Sequence, residues 1–267
     1  MYERELEVAL DAARRAGAEL LREYEHFQAI PNAPADITTE ADRRSQEIIL
    51  THIHAAFPQD ALCAEEATAT LATTKRTGNR LWIVDPIDGT RGFARKNGEF
   101  SIMIAFVETD EIGVGVVAQP AAQRLTYATR SGGCWRRDGA DAVPTRCHVS
   151  KIAELRQCTL TQSRSSGAKA CRWSDAMEPA RIVESYSAGI KLALIARAEA
   201  DIYLNTYHEF HDWDICAGHL LVTEAGGQVT GLRGQTLHYG REGAKQRDGL
   251  LATNGQLHAP ALRVVGA

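Results

Sequence analysis

Between Leu81 and Arg136 the chain alternates short apolar runs with turn residues, and this pattern constrains the fold more than any other. Leu81-Trp82-Ile83-Val84 is the kind of run a buried strand shows. Phe100 to Val107 and Ile112 to Ala118 are β-branched and separated by Glu108-Thr109-Asp110-Glu111. Arg124 to Thr129 and Cys134-Trp135-Arg136 continue the series, with Gly132-Gly133 and Asp138-Gly139 as turns. Runs of this length joined by such connections predict an antiparallel meander.

Helices precede it. Leu6, Leu10, Ala13, Leu20, Tyr24 and Phe27 recur at helical spacing, and Pro31 and Pro34 end that segment. Thr38-Thr39-Glu40-Ala41-Asp42 opens a second helix that runs to about Phe57, with Ile48, Ile49 and Ile53 on its apolar face and Pro58 as its stop. After the meander the chain alternates: a strand over Gln157–Gln162, a helix over Ala168–Met177, a strand at Ile182-Val183, a helix over Ser187–Ala198, a strand over Asp201–Leu204, a helix from Trp213 to Ala225 ended by Gly226-Gly227, and a strand at Leu250-Leu251-Ala252. This alternation predicts a layered α/β half. A boundary near Val149-Ser150, with Ser150 placed to cap a following helix, divides the chain into 1–149 and 150–267.

Composition excludes several classes. The 267 residues carry 30 Lys and Arg against 34 Asp and Glu, a net charge of −4, and 44% are apolar. That is too hydrophobic and too nearly neutral for a disordered chain, and it lacks the basic excess of a nucleic-acid binder. The longest apolar stretches, such as Ile102 to Val107, fall far short of the roughly 20 residues of a membrane span. Met-Tyr-Glu-Arg-Glu-Leu-Glu has no basic-then-apolar pattern, so no signal peptide is expected. Six scattered cysteines (Cys63, Cys134, Cys147, Cys158, Cys171, Cys216) without Cys-x-x-Cys fit reduced, buried thiols in the cytoplasm.

The chemistry lies in four acidic patches: Asp42 at a helix start, Glu65-Glu66 after a short strand, Asp85-Pro86-Ile87-Asp88-Gly89-Thr90 after another strand, and Asp212-Trp213-Asp214 at a helix start. Taken alone, each has an ordinary explanation: a first-turn acid favoured by the helix dipole, a solvated pair, a turn. The third is the richest. A strand delivers Asp85 to its end, Pro86 bends the chain, and Asp88 returns toward the same point. The Ile87 carbonyl lies between them, Gly89 permits close backbone approach, and Thr90 offers a hydroxyl. Clustered carboxylates repel one another and raise each other's pKa unless cations separate them. An all-oxygen set favours Mg²⁺ first, then Mn²⁺ or Ca²⁺. Two such ions roughly 3.5–4 Å apart can clamp a phosphate and activate a water.

Thr-Thr-Glu-Ala-Asp42, Glu65-Glu66, Trp82 to Thr90, Trp213-Asp214-Ile215-Cys216-Ala217-Gly218 and Glu224-Ala225-Gly226-Gly227 resemble the inositol monophosphatase superfamily of Mg²⁺-dependent, lithium-sensitive phosphatases, from the first helix to about residue 254. The resemblance implies an α-β-α-β-α sandwich. Its N-terminal half would carry the antiparallel sheet and most metal ligands, and the C-terminal half would supply Asp214 and substrate-side groups. It implies that Glu65, Asp85 and the Ile87 carbonyl hold one Mg²⁺, that Asp85, Asp88 and Asp214 hold a second, and that a weaker third sits near Glu65 and Asp42. Asp42 and Thr90 would orient or deprotonate the attacking water, and the amides of Gly89 and Thr90 would cradle the phosphate.

Within the superfamily the look is nearest to 3′(2′),5′-bisphosphate nucleotidases, which remove the 3′-phosphate of 3′-phosphoadenosine 5′-phosphate, a product that accumulates in sulfate assimilation. Gly92 to Phe100, Ser163-Arg164-Ser165 and Gly189-Ile190-Lys191-Leu192 carry that resemblance, with Lys191 and Arg164 expected on the second phosphate. Alternatives are an inositol-1-monophosphatase, a histidinol-phosphate or sugar-phosphate phosphatase, and a regulator that keeps the fold without catalysis. Three departures stand out: no lysine between Tyr24 and Asp42, Ala188-Gly189 where a Ser-Ser run is usual, and the unusual stretch Tyr207 to Asp212, whose His208, His211 and Asp212 are candidate substrate contacts or plain loop polar groups. The expected partner is a small phosphorylated substrate, with neither nucleic-acid polymer nor membrane, and the chain would be a monomer or homodimer.

Overall fold

A computed structural model describes residues 1–75, 77–139, 141–164, 172–207, 210–241 and 244–266. Two helices open the chain, α1 (Glu3–His26) and α2 (Glu40–Ala56). A seven-stranded sheet follows, in the order β1 (Ala61–Ala64), β2 (Arg80–Asp88), β3 (Ser101–Glu108), β4 (Glu111–Gln119), β5 (Arg124–Thr129), β6 (Gly133–Asp138) and β7 (Thr145–Arg146). From β2 onward every neighbour is antiparallel, the meander that the apolar runs predict. Only β1 runs parallel to its partner β2. The short helices α3 (Ala69–Thr73) and α4 (Thr90–Ala94) flank β2.

The period-two alternation of a strand sorts side chains to opposite faces. Trp82, Val84, Ile102, Ile104, Phe106, Val114 and Val116 pack with Ala9, Ala12, Ala16, Ile49 and Ile53 of α1 and α2. Leu81, Ile83, Met103, Ala105, Val107 and Val117 face the other way, into a core that contains Leu192, Ile195, Ile215 and Leu221. Those four belong to α6 (Ala188–Ala196) and α7 (Asp212–Glu224), helices of the second half. Because both faces are buried, these strands read as continuous apolar runs rather than as alternating ones.

The second sheet has five strands in the order β12 (Gln228–Thr230), β14 (Leu250–Thr253), β10 (Ile202–Asn205), β8 (Thr159–Ser163), β9 (Arg181–Ser185). Tyr203, Leu250 and Ala252 face α6 and α7. Ile202, Leu204 and Leu251 face the opposite side, with Met177 of α5 (Arg172–Met177) and Ala261 of α8 (His258–Val265). A two-stranded ribbon, β11 (Phe210–His211) with β13 (Lys245–Gln246), completes the layers. The result is an α-β-α-β-α sandwich, as the resemblance implies.

Several local expectations are corrected. Ser150 caps no helix: no regular helix starts there, and its hydroxyl instead donates to Asp201 while accepting from Asn254 Nδ2 at 2.9 Å. β2 does not stop at Asp85 but runs to Asp88 with a register shift between them, which accommodates the missing Pro86 amide as a bulge. The helix before β9 is described only from Arg172, and its expected residues 168–171, with Cys171, lie outside the described residues. Ser165 and His208 lie outside them too. Cys134, Cys147, Cys158 and Cys216 are buried thiols. Among the described residues no helix is long and apolar enough to cross a membrane.

Candidate active site

Asp42 is 1% exposed and sits at the third position of α2. Its Oδ2 accepts from the Thr39 amide at 2.8 Å and the Thr39 hydroxyl at 2.7 Å, a capping box written in the sequence as Thr-x-x-Asp. Its other oxygen accepts from the Thr90 hydroxyl at 2.8 Å, and the same hydroxyl lies 3.0 Å from the Ile87 carbonyl oxygen. Asp42 and Thr90, expected to act together on water, are therefore joined directly. Burial, offset in part by the Thr39 and Thr90 hydrogen bonds, pushes the Asp42 carboxyl up to about 6.

Asp85 is 2% exposed and folds back onto its own turn, where Oδ1 accepts the Ile87 amide at 3.0 Å. The Ser45 hydroxyl donates to the Pro86 carbonyl at 3.0 Å and ties the turn to α2. Glu65, just past β1, is exposed, and its charge acts on Asp85. Burial first, then the charges of Glu65, Asp88, Asp214 and Asp42, push Asp85 well above the usual carboxylate range. Although the residue as a whole is exposed, desolvation of its carboxyl, then Asp214, Asp42 and Glu66, push Glu65 up as well.

Asp88 comes from the far side of the bulge and meets α6. Its Oδ1 accepts from the Ala188 amide at 3.0 Å, and its Oδ2 accepts from the Gly189 amide at 2.6 Å, the Ser101 hydroxyl at 3.2 Å and the Ser187 hydroxyl. The positive end of the α6 dipole favours this placement. It also explains Ala188-Gly189: a Cβ on Gly189 would fall 2.7 Å from Ser101 Oγ and 2.8 Å from Met103 Sδ. Gly89, beside it, holds φ at 88°, and a Cβ there would meet the Glu99 carbonyl at 2.7 Å.

Asp214 repeats the Asp42 arrangement. It is the third residue of α7, and its Oδ2 accepts the His211 amide at 2.6 Å. Its side chain keeps 27% exposure, and burial, with Asp88 and Asp212 adding to it, pushes the carboxyl up to about 7. Five acids from both halves thus act on one another.

Other expected residues lie elsewhere. Lys191 is neither a surface charge nor a free cation for a second phosphate. It is 1% exposed, its Nζ donates to the Ser185 and Ser187 carbonyls at 2.9 and 2.7 Å, and it lies 5.1 Å from the Tyr203 ring centre. Burial pulls its ammonium down to about 8, against the pull of Asp88. Asp212 is also structural, accepting from the Gly240 amide at 2.7 Å and Gln246 Nε2 at 2.8 Å. The His211 ring stacks on Trp213 at 4.3 Å. Ser163 ends β8 opposite Ser185. Arg164, next to it, donates to Glu99 at 2.9 and 2.5 Å. Sequence reading placed Thr39 and Ser187 at helix starts but gave neither a role at the site, although Ser or Thr there is the usual capping signal.

The donor chemistry suits a hard divalent cation: carboxylates and one carbonyl, with no His or Cys among them. The crowding around Asp85 is what added positive charge would relieve. Asp88 keeps acceptor capacity on Oδ1, and Ile87 a second lone pair. As they stand, no three His, Cys, Asp or Glu side chains among the described residues are arranged to enclose an ion.

Comparison with known proteins agrees with this chemistry. The inositol monophosphatase family profile matches residues 1–265. A fructose-1,6-bisphosphatase/inositol-1-monophosphatase of Thermotoga maritima is 32% identical over 233 residues, covering 86% of this chain and 82% of its own length. A histidinol-phosphatase of Mycobacterium tuberculosis is 33% identical, with 86% and 84% covered. A solved Thermotoga maritima IMPase superposes with a TM-score of 0.82 at 30% identity, covering 100% of this chain and 97% of that one.

Proposed function

Because the chain belongs to the inositol monophosphatase family, whose members are metal-dependent phosphomonoesterases, we propose that it hydrolyses its substrate by direct attack of a water that Asp42 and Thr90 position. The observation that carries this reading is the joining of Asp42 to the Asp85–Thr90 turn through the Thr90 hydroxyl, at 2.8 Å.

Glu65, Asp85 and the Ile87 carbonyl would hold one Mg²⁺. Asp85, Asp88 and Asp214 would hold a second, and Glu65 with Asp42 a weaker third. Such ions supply positive charge against the phosphoryl oxygens and make water easier to deprotonate. The Thr90 hydroxyl and the Asp42 carboxylate orient the water, and Asp42 accepts its proton. The amides of Gly89 and Thr90, at the N-terminal end of α4, donate to the phosphate oxygens. The residues do the work of positioning and charge complementarity that phosphoryl transfer chiefly needs.

The favoured substrate is a 3′(2′),5′-bisphosphate nucleotide, 3′-phosphoadenosine 5′-phosphate, in which case lithium inhibition and a role in sulfate assimilation follow. The Gly92–Phe100 stretch supports this, since its Glu99 holds Arg164 near the Asp88 turn. The names of the relatives favour a second reading, a phosphatase of inositol, histidinol or sugar phosphates. Phosphate release with Mg²⁺ separates them. 3′-Phosphoadenosine 5′-phosphate should be hydrolysed well above inositol 1-phosphate and histidinol phosphate, and equal or reversed rates overturn the nucleotidase reading.

A further inference from the structure

Tyr186 immediately precedes Ser187, one of the groups that hold Asp88, and three guanidinium groups surround its ring. The central carbons of Arg91, Arg95 and Arg164 lie 5.4, 5.7 and 5.8 Å from the ring centre. Arg95 Nη1 donates to the Tyr186 hydroxyl at 2.6 Å. The three come from α4, from its C-terminal cap and from the end of β8, so the tertiary fold gathers them.

Like charges this close repel, and the carboxylates present answer only part of that repulsion. Glu99 and Glu184 both pair with Arg164, at 2.5 and 3.4 Å. Among the described residues neither Arg91 nor Arg95 has a carboxylate within ion-pair distance. Three guanidiniums against two carboxylates leave an excess of one positive charge. Arg91 Nε is shielded from water and has no hydrogen-bond partner among the described residues. A buried donor left unsatisfied costs about 1–3 kcal/mol. The place is informative too: Arg91 follows Thr90 and Tyr186 precedes Ser187, so each α-carbon is about 3.8 Å from that of a residue of the candidate active site.

We propose that Arg91 and Arg95, with Arg164 locked beside them by Glu99, form a subsite for a second anionic group on the phosphomonoester substrate. This rests on the phosphatase reading and names its substrate class. Guanidinium donors match the paired oxygens of a phosphate. A neutral polyol gains nothing from this cluster, and a substrate amine is repelled by it. Arg91 and Arg95 thus take the part that sequence reading expected of Lys191, beside Arg164, of which it was expected as well.

The test compares substrates that differ only in the second phosphate. These are 3′-phosphoadenosine 5′-phosphate against adenosine 3′-phosphate, and fructose 1,6-bisphosphate against fructose 1-phosphate. The first pair reports a nucleotide source of the second anion and the other a sugar source. In at least one pair, kcat/KM should favour the bisphosphate by about 10- to 100-fold, the range that charge-assisted hydrogen bonds supply. Arg95→Gln and Arg91→Gln should each erase most of that preference through KM and leave monophosphate turnover within about threefold. Arg95 is exposed with Tyr186 as its side-chain hydrogen-bond partner, so its variant should fold even if the Arg91 variant does not. Arg95→Lys should restore part of the preference. Equal use of both members in both pairs, or variants that lower both members equally, overturns the subsite. Binding of adenosine 5′-phosphate, by calorimetry, separates the two failures. If that binding weakens in the arginine variants while no phosphomonoester is hydrolysed, the subsite stands and the phosphatase reading falls.

Discussion

The carboxylate of Asp88 accepts the backbone amide of Gly189 at 2.6 Å, across 101 residues of chain. One acid of the Asp-Pro-Ile-Asp turn is thereby clamped to the first turn of α6. A carboxylate at that end of a helix is stabilised by the dipole and by unsatisfied amides. The clamp sets the distance between the N-terminal acids and the half that carries Asp214.

Gly189→Ala tests the clamp. The added methyl meets Ser101 Oγ and Met103 Sδ at 2.7 and 2.8 Å. A loss of about 1–3 kcal/mol is expected, as for overpacking elsewhere, together with a lower kcat. Chemical denaturation and phosphate release measure the two. An unchanged unfolding midpoint would show that α6 approaches less closely than described.

Asp85→Asn should separate stability from activity. The asparagine oxygen can still accept the Ile87 amide, which Asp85 binds at 3.0 Å, while a buried charge among acids disappears. The metal-free variant should melt at or above the wild-type temperature at pH 7.5. Its phosphate release should fall by about 100-fold or more.

Thr90→Val removes the hydroxyl that bridges Asp42 and Ile87 but keeps the side-chain volume. A fall of about 100-fold in kcat with little change in KM is expected for a group that orients water. Thr90→Ser should retain most activity. Equal activity of the valine variant would remove Thr90 from the water site.

Mg²⁺ should stabilise the fold, and more so at alkaline pH. Burial raises Asp42 to about 6 and Asp214 to about 7. An acid whose folded pKa lies above its unfolded value binds more protons in the native state, so the metal-free protein loses stability as pH rises through those values. A cation relieves that loss, and a ligand at 100 times its Kd adds about 2.7 kcal/mol. The melting increment from Mg²⁺ should be larger at pH 8 than at pH 5.5, and a chelator should reverse it. An equal increment at both pH values would contradict the crowding of these acids.

His219 makes an opposite contribution away from the acids. It lies half-buried on α7, 2.7 Å from the Tyr239 hydroxyl, and burial lowers its pKa from 6.5 to about 4. The native state then binds fewer protons than the unfolded one. Stability is full above pH 6.5 and is lost as pH falls toward 4, by roughly 1–3 kcal/mol after allowing for partial exposure. His219→Gln should flatten the acid limb of the stability curve measured by urea unfolding.

The sequence by itself determined the meander, the helices on either side and the identity of the acids. These are local properties: apolar periodicity sets which face a strand or helix buries, and proline or glycine sets where it stops. Asp42 and Asp214 were legible because each sits three residues into a helix behind its capping position. The tertiary structure decided what each group touches. Lys191 reads as a cation for a second phosphate until α6 packs between two sheets and its ammonium is drawn onto the Ser185 and Ser187 carbonyls. Ser150 looks like a cap until its hydroxyl finds Asp201. Arg91 and Arg164 lie 73 positions apart in the sequence, and no period links them to Tyr186. Local spacing specifies faces within one element, whereas a charge cluster drawn from three segments exists only once the packed layers bring their ends together.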